Sequence, residues 1–420
     1  MHSTKDVIRS LRPWLSKTVP FLLIMLFVLA ACDVPANATL PTPTSRIQFP
    51  TTETEVEPGS TGTPEPEVKP AATQEPVQVP TSTATVEATE PPTQEPTRVI
   101  PGMIGPDNFP EDVNPLTGLV ISDPEKLDRR PLAIKISNNA RVRPQAGLND
   151  ADIVYEHITE GGITRFTAIF YGGDAAKIGS IRSGRLIDLE IPIMYDAAFA
   201  YSGSSIELHW MFARSIFFDR VISTGFAHGG FERISDPNNP DQRFEDTLFT
   251  NTLILHRILE ERQQDNAPNF ANGLAFHPEP PEGGIEVRAV EISYPATDVY
   301  WSYAPGRGGY QRWSDGIPHL DANGGAQLLF QNIVVIKAPH LYTEIIEDSG
   351  GSHSIQIQIW GEGQALLYRD GLKYEGVWRR EDNRYMLTFF TEEGELLPLA
   401  PGKTFFEVVP EDFERIYDTP

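Results

Sequence analysis

The pattern of hydrophobic and polar residues divides the chain into regions of different character. An apolar run, FLLIMLFVLAA, covers 21–31 and ends directly before Cys32. From 33 to about 105, Pro, Thr and Glu dominate and no apolar period of 2 or 3.6 survives, which predicts a disordered tether. Regular periods begin near 110 and continue to about 415, so folded structure is expected there.

Strand and helix patterns alternate in the first folded region, from about 110 to 275. Segments rich in β-branched and aromatic residues predict strands at 130–137, 151–159, 164–172, 196–203 and 217–223. Apolar spacing and capping residues predict helices at 183–191, 204–215 and 250–264, with N-caps at Ser204 or Ser205 and at Thr250 or Asn251. This alternation predicts an α/β domain in which helices pack on a mixed sheet.

A period of two predominates in the second folded region, from about 286 to 415. Its strand-like segments are separated by glycine-rich turns, which predicts a mainly antiparallel β domain, either a barrel or a sandwich. In HSIQIQIW, Ile355, Ile357 and Ile359 alternate with Gln356 and Gln358. That segment is therefore expected to form a strand with one buried face and one wet face.

An aromatic run and a polar loop in the second region are candidate binding surfaces. The aromatic run comprises Tyr300, Trp301, Tyr303, Tyr310 and Trp313. It would suit the stacking of sugar rings, although most aromatic residues of a β domain belong to its core. His319 and Asp321, in the loop GIPHLDANGG, form the second candidate, and the local sequence supplies too few ligands there for a metal.

Cys32 is the only cysteine of the 420 residues, and it explains the N-terminal pattern. Four cationic residues precede the apolar run, which at about 1.5 Å per residue is too short to cross roughly 30 Å of hydrocarbon. A cationic start, a short apolar run and small residues before a cysteine resemble the lipobox of bacterial lipoproteins, which makes 1–31 a signal peptide. The resemblance implies acylation of Cys32, for instance with palmitate, and attachment to the extracytoplasmic face of the membrane. The alternative is an ordinary signal peptide followed by a chance cysteine or a reactive surface thiol.

The net charge of −24 lies mainly in the folded part, which carries about −20. A domain this acidic argues against nucleic acid as a partner and against docking on anionic lipid head groups. The segment 32–109 is expected to be a stalk with a contour length on the order of 200 Å, because frequent prolines favour extended conformations. The alternative for this segment is a partner-binding or glycosylated Thr/Pro tract.

Several longer segments resemble one family. NPLTGL, RPLAIKISNNARVRPQAGLNDADIVYEHITEGGITRFTAIFYG and KIGSIRSGRLIDLEI resemble the N-terminal domain of the YerB-like family, bacterial lipoproteins built from two adjacent domains of unknown function. GGYQRWSDGIPHLDANGGAQLLFQNIVV and LAPGKTFFEVVP resemble the C-terminal domain of that family. The resemblance spans roughly 114–410 and implies two adjacent domains, predicted at 110–275 and 286–415, without an established activity.

The chain departs from the family pattern at 244–252. Relatives carry a His-Asn-Leu-Tyr-like segment in this region, whereas this chain reads FEDTLFTNT and has no histidine there. If the histidine takes part in a reaction in relatives, this chain would lack that chemistry.

Three polar segments of the first region lie at predicted strand ends, where open α/β sheets form their sites. The candidate ligand-binding residues in these segments are Asn138, Arg143, Arg165, Arg182, Ser183 and Arg185. Guanidinium groups that meet near a helix N-terminus would bind a carboxylate or a phosphate. The alternative is that Arg182 and Arg185 form structural salt bridges with Glu156, Asp188 or Glu190.

Glu156 and Glu160 are weak candidates for catalysis of glycoside cleavage. Four residues along a strand at ~3.3 Å each place them about 13 Å apart. Glycosidases need about 5–9.5 Å between their carboxyl groups, so the pair fits only if the following glycine turn folds Glu160 back. Motifs of zinc proteases, phosphate loops, dinucleotide sites and serine hydrolases are missing from the sequence. His209 and His228 are interpreted as ordinary packed or surface histidines.

The sequence therefore predicts a lipid-anchored, extracytoplasmic protein of the bacterial cell envelope with no cofactor or metal. Its expected role is a binding or accessory module for cell-wall material, such as peptidoglycan, or for an envelope protein partner. The alternatives are a cell-wall hydrolase that uses Glu156 or Glu160 with Arg182, and the solute-binding lipoprotein of a transporter.

Overall fold

The computed structural model describes residues 102–420 except 238, 240 and 272. The predicted signal peptide, the acylated Cys32 and nearly all of the predicted tether lie outside the described residues. Within the described range, no helix is both long enough and apolar enough to cross a membrane.

The first half contains short strands and few helices. Its elements are β1 (Val113–Asn114), β2 (Leu119–Val120), β3 (Leu132–Ser137), β4 (Ile153–Ile158), β5 (Thr164–Phe170), β6 (Ile178–Gly179), α1 (Ile191–Met194), β7 (Ala198–Tyr201), α2 (Ile206–Ala213), β8 (Val221–Ser223), β9 (Glu232–Arg233), β10 (Leu248–Thr250) and α3 (Thr252–Glu261). Asn251 caps α3 as predicted, because its side chain accepts a hydrogen bond from the backbone N–H of Ile254.

The helix predicted at 183–191 was wrong in extent. The structure has a 3-10 turn at Leu186–Leu189, followed by the single turn of α1. Pro192 lies in the first turn of α1 and has no backbone N–H, so a helix running through this point from Leu186 would lack a hydrogen bond to the preceding turn.

The second half consists of strands. They are β11 (Ile285–Glu286), β12 (Ala289–Tyr294), β13 (Thr297–Ala304), β14 (Gly309–Ser314), β15 (Ile317–Pro318), β16 (Leu329–Phe330), β17 (Asn332–Ala338), β18 (His340–Ile346), β19 (His353–Ile357), β20 (Gly361–Arg369), β21 (Leu372–Arg380), β22 (Thr388–Phe390), β23 (Thr404–Pro410) and β24 (Ile416–Thr419). Ile355, Ile357 and Ile359 are buried while the glutamines between them are half-exposed, which confirms the predicted alternation.

Strands from both halves form one 11-stranded sheet in the order β11-β21-β20-β17-β23-β4-β5-β3-β7-β8, with β22 added beside β21. The part from the first half is mixed: β5 is antiparallel to β4 and β3, whereas β3, β7 and β8 are parallel. A second sheet of six strands from the second half, including β12 to β16 and β24, is antiparallel throughout. The predicted fold classes of the two halves are therefore confirmed.

The strand β23 joins the two halves. It lies between β17 and β4 and is parallel to both, so the second half is not a separate barrel or sandwich. Its sequence, TFFEVVP, is buried on both faces except at its last residue, as expected for a parallel strand inside a covered sheet. One continuous core cluster includes residues of both halves, from Leu116 to Val409.

The aromatic run of the second half divides between the core and the surface. Trp301 and Tyr310 are fully buried, whereas Tyr300 is 37% exposed and packs edge-on against Trp313. The core explanation therefore holds for the two buried rings, and the half-buried Tyr303 packs on one of them, Tyr310. The pair of Tyr300 and Trp313 is too small a surface to be the five-ring platform considered above.

Candidate functional site

The polar segments predicted as a site meet at one edge of the large sheet. The strands β3, β4, β7 and β8 all point in the same direction, so their carboxyl ends share this edge. Segment 138–145 follows β3, the turn 160–162 follows β4, and the loop 182–185 lies against the end of β7. We call this region the arginine edge.

Backbone hydrogen bonds hold the loop of the arginine edge in place. The N–H of Arg182 donates to the carbonyl of Lys135, and the N–H of Ser202 donates to the carbonyl of Arg182, at 3.0 and 2.9 Å. The N–H of Gly184 donates to the carbonyl of Gly203 at 2.9 Å. The loop thus lies against the residues that precede α2, and not at the N-terminus of the helix that the sequence predicted at 183–191.

Asn138 and Arg143 hold the interior of the edge together. The Asn138 amide donates to Glu156 and to the Thr164 hydroxyl at 2.8 Å each, and its oxygen accepts from Nε of Arg143 at 3.2 Å. Arg143 also pairs with Asp315 from the second half. Both residues use their polar groups within the protein, which favours a structural role for them over contact with a ligand.

Glu156 is fully buried and does not face the surface. Arg312 from β14 donates to Glu156 at 2.5 Å. Glu407 of β23 lies opposite Glu156 in the register and accepts hydrogen bonds from Trp301 and Tyr294 at 2.8 Å each. Burial and the neighbouring Glu156 raise the pKa of Glu407 to about 8. The close pair of carboxyl groups in this molecule is therefore internal and joins the two halves.

Arg185 forms a complete salt bridge with Glu160. Its Nε and Nη2 donate to the two carboxylate oxygens at 2.7 and 2.6 Å, and both side chains are buried. Arg165 donates to the carbonyl of Ser183 at 2.8 Å. Burial, followed by the nearby Arg185, lowers the pKa of Arg165 to about 9. Glu347 reaches this group from the second half, with its carboxylate 3.5 Å from Nη1 of Arg185.

Arg182 is held much more loosely. Among the described residues, its guanidinium makes one ion pair, at 3.6 Å to Oδ1 of Asp246, and no hydrogen bond. Arg141 contacts the other oxygen of Asp246 at 3.4 Å. The side chains of Arg141 and Arg182 are 36% and 18% exposed, whereas that of Asp246 is 2% exposed. Burial lowers the pKa of Arg182, which Asp246 partly offsets.

The salt-bridge alternative is correct for Arg185 but with a different partner from those considered. Arg185 pairs with Glu160, and Asp188 bonds to the backbone N–H of Arg185 and not to its guanidinium. Glu190 pairs instead with Arg380. Since Glu156 is also engaged elsewhere, none of the three carboxylates expected from the sequence pairs with an arginine side chain of this loop.

Three residues of the arginine edge were not singled out from the sequence. Asp246 lies within the segment at which the chain departs from its family pattern, and Arg141 lies within the first polar segment. The local sequence could therefore have indicated both as site residues. Glu347 comes from a hairpin more than 150 positions away along the chain, and no local pattern places it near Arg185.

A second buried polar cluster, also missed, lies beneath the edge. Nζ of Lys135 is 2.5 Å from Nε2 of His157, 2.8 Å from Thr167 and 2.9 Å from Asp188, and all four side chains are fully buried. Burial lowers the pKa of Lys135 to about 8 and that of His157 well below its usual value. This cluster has no exposed atom that could meet a ligand.

The second candidate site, at His319 and Asp321, connects the two halves. Both residues are 2% exposed. His319 bonds to Oε1 of Gln145 at 2.6 Å, and Asp321 accepts from the backbone N–H groups of Gly147 and Asn149 at 3.1 and 2.7 Å. These contacts give both residues a structural role.

The two histidines of the first half lie in an aromatic cluster. The ring of His209 stacks on Phe226 at 4.2 Å between centroids, and the ring of His228 packs against the same phenylalanine at 5.8 Å. This packing agrees with their interpretation as ordinary histidines.

A groove of about 190 Å³ lies near the start of α3. Its lining consists of Ala176, Lys177, Gly230, Phe231, Glu232, Ile234, Phe249, Thr250, Asn251 and Ile254. None of the ligand-binding residues predicted from the sequence lines it.

Comparisons with known proteins agree with this architecture. Residues 116–265 match the N-terminal domain, and residues 290–406 the C-terminal domain, of the protein of unknown function DUF3048. The protein named "Putative lipoprotein YerB" from Bacillus subtilis (strain 168) is 28% identical over 310 residues, which cover 73% of this chain and 88% of the relative.

The crystal structure of the YerB protein from Bacillus subtilis superimposes with a TM-score of 0.61 at 26% identity and covers 73% of this chain and 99% of the other. The two domain matches follow each other along the chain, the N-terminal domain first and the C-terminal domain second. The chain belongs to the YerB-like family of bacterial lipoproteins, which are built from these two adjacent domains of unknown function.

Proposed function

We propose that this chain is a lipid-anchored binding or accessory protein of the bacterial cell envelope, attached at Cys32 to the extracytoplasmic face of the membrane. Its folded part binds an anionic group of cell-wall material at the arginine edge. The alternative partner is another envelope protein that presents such a group.

The lipobox-like sequence before Cys32 and the name of the Bacillus subtilis relative support the anchor. A diacylated cysteine holds a protein stably on a bilayer, whereas one chain alone binds marginally. Cys32→Ala should therefore release the protein from washed membranes, and labelled palmitate should be incorporated into the wild-type chain only. A Cys32→Ala protein that stays on the membrane would contradict the anchor.

The proposal that the arginine edge binds an anion depends mainly on Arg182. Its partly exposed guanidinium has a single long ion pair and no hydrogen bond, although a guanidinium offers five N–H donors. Arg141 and Arg182 share the carboxylate of Asp246, and the neighbouring Glu245 also acts on Arg182 but lies beside a third cation, Arg243. Three arginines around two carboxylates leave positive charge at the surface of a strongly acidic protein, which suits an incoming carboxylate or phosphate.

Sedimentation with purified peptidoglycan tests this function. The detergent-solubilised full-length chain is expected to sediment with peptidoglycan sacculi, and Arg182→Ala should lower the bound fraction at least fivefold. Arg307→Ala is the matched control, since Arg307 is exposed in the turn between β13 and β14. Equal sedimentation of the wild type and Arg182→Ala would remove the arginine edge as the binding surface.

The geometry does not favour the hydrolase alternative. Glu156 is fully buried and bound to Arg312, and Glu160 is occupied by Arg185, so neither carboxyl group is available to a polysaccharide in this arrangement. Soluble muropeptides released from sacculi by the wild type, but not by Glu156→Gln, would establish hydrolysis and replace the binding proposal.

A further inference from the structure

Asp246 has an unsatisfied acceptor at the arginine edge. The residue is 3% exposed, and within the described part of the chain its Oδ1 accepts no hydrogen bond. Buried carboxylate oxygens without a donor are rare in folded proteins, and each calls for an explanation such as a water, an ion or a ligand. A group that donates a hydrogen bond to Oδ1 would satisfy this acceptor of Asp246.

The arginines beside Asp246 have donors to spare. Charge-assisted hydrogen bonds between nitrogen and a carboxylate measure about 2.7–2.9 Å. The contacts of Arg141 and Arg182 with Asp246 are 3.4 and 3.6 Å, whereas Arg185 and Glu160, on the same edge, reach 2.7 and 2.6 Å. The Arg185–Glu160 salt bridge is thus fully hydrogen-bonded, whereas the contacts of Arg141 and Arg182 with Asp246 are long, although both groups join arginine to a carboxylate.

We infer that the group of Arg141, Arg182 and Asp246 binds an α-amino acid, either free or as the terminal amino acid group of a larger molecule. The ligand's carboxylate would accept hydrogen bonds from Arg182 and Arg141. Its ammonium group would donate to Oδ1 of Asp246. The inference rests on the proposed binding function of the arginine edge and names the ligand class for it.

Simpler ligands fit the group less well. A plain carboxylate would form hydrogen bonds with the arginines but would be repelled by the negative charge of Asp246. A plain ammonium ion would bond to Asp246 but would be repelled by the two guanidiniums. A ligand that carries both groups on neighbouring atoms satisfies the charged donors and the acceptor together, because Nη2 of Arg182 and Oδ1 of Asp246 are themselves only 3.6 Å apart. Arg141 has the freedom to move aside, since its side chain is 36% exposed.

Isothermal titration of the full-length chain with three small probes tests this inference. The probes are alanine, propionate, which lacks the ammonium group, and alaninamide, which lacks the carboxylate. Alanine is expected to bind at least tenfold more tightly than either of the other two. If propionate binds as tightly as alanine, or if sacculi bind while none of the probes does, the amino acid class is wrong and the anion-binding function stands.

Substitutions distinguish the two groups of the ligand. Asp246→Asn should weaken the binding of alanine at least tenfold but strengthen the binding of propionate, because it removes the charge that repels a plain anion. Arg182→Ala should weaken the binding of both probes. Glu393→Gln is the matched control, since Glu393 is exposed in the turn after β22 and should change alanine binding less than twofold. If Asp246→Asn does not fold, Arg141→Ala replaces it and is expected to weaken the binding of alanine at least threefold. Unchanged alanine binding in Arg182→Ala, or a control effect as large as that of Asp246→Asn, would overturn the inference.

Discussion

At the scale of single residues, the interior of this protein depends on charged groups as well as on apolar packing. Arg312 is fully buried beside Glu156, and Glu407 lies next to both. One cation beside two carboxyl groups leaves a net negative charge unless one carboxyl group keeps its proton. The raised pKa of Glu407, about 8, means that this group is protonated at neutral pH.

The protonation of Glu407 should make the protein less stable as pH rises. In the unfolded chain its pKa returns to about 4.5, so between about pH 5 and pH 8 the folded state binds the extra proton. Stability from this group is complete below about pH 4.5 and is lost as pH rises through about 8. Urea denaturation at pH 6, 7, 8 and 9 should show the decline.

Glu407→Gln should flatten this decline, because the amide imitates the protonated acid and cannot ionise. Glu411→Gln, an exposed change two residues beyond the buried stretch of β23, is the control and should keep the wild-type slope. A Glu407→Gln variant that loses stability with pH as steeply as the wild type would show that another group binds the proton.

Lys135 gives a second prediction at this scale. Its ammonium group and Asp188 are fully buried and 2.8 Å apart. Lys135→Met should lower the free energy of unfolding by about 3–5 kcal/mol, because it leaves the Asp188 carboxylate buried without its cation. Lys126→Met removes the partly exposed pair with Asp174 and should cost about 1 kcal/mol or less. Equal losses in the two variants, measured by urea denaturation, would contradict the importance assigned to the buried cluster.

At the scale of elements, the hairpin of β18 and β19 positions part of the arginine edge. It forms a two-stranded sheet of its own, and β19 packs against the 3-10 turns at Glu160–Gly162 and Leu186–Leu189. Glu347, at the end of this hairpin, is thereby brought next to Arg185. An isolated hairpin is marginally stable in water, so its order depends on this packing.

The two faces of the hairpin should respond differently to truncation. Ile357 is 2% exposed, and Ile357→Ala should cost about 2–4 kcal/mol, because it removes buried apolar surface and leaves a cavity. Ile346 is 40% exposed, and Ile346→Ala should cost about 0.5 kcal/mol or less. Urea denaturation measures both, and a larger loss for Ile346→Ala would mean that the outer face is covered in solution.

Elements with a clear period were predictable from the sequence, and elements determined by tertiary contacts were not. The cap at Asn251 and the alternation of Ile355 and Ile357 are local patterns, and both are confirmed. The helix expected at 183–191 failed because Pro192 and the hydrogen bonds of the loop before it override its apolar spacing.

The same distinction holds for the site. The sequence placed three polar segments at predicted strand ends but did not decide whether they meet; they do, because β3, β4 and β7 point in the same direction. Their ion-pair partners, including Asp246 and Glu347, are distant along the chain and depend on how the strands are ordered. The hydrophobic period of a single segment does not indicate which strands lie next to each other in the sheet.

At the scale of the whole molecule, the two family domains are not independent in structure. β23 from the second half occupies an interior position of the sheet beside β4, and Arg312 from the second half neutralises the buried Glu156. Without the second half, β4 would expose a long apolar edge and a carboxylate without a cation. Sequence similarity divides the chain near 265–290, whereas the sheet continues across that division.

This continuity predicts that the halves fold together. The full chain should unfold in one calorimetric transition from its folded part, with equal calorimetric and van't Hoff enthalpies. A fragment of residues 102–275 should lack a cooperative thermal transition, because it has neither β23 nor Arg312 to complete the sheet. Mixing it with a fragment of residues 276–420 is the control, and the transition should return if both fragments are competent to fold. A sharp transition of 102–275 alone would show that its sheet is stable with β4 as an open edge and that the halves are separate folding units.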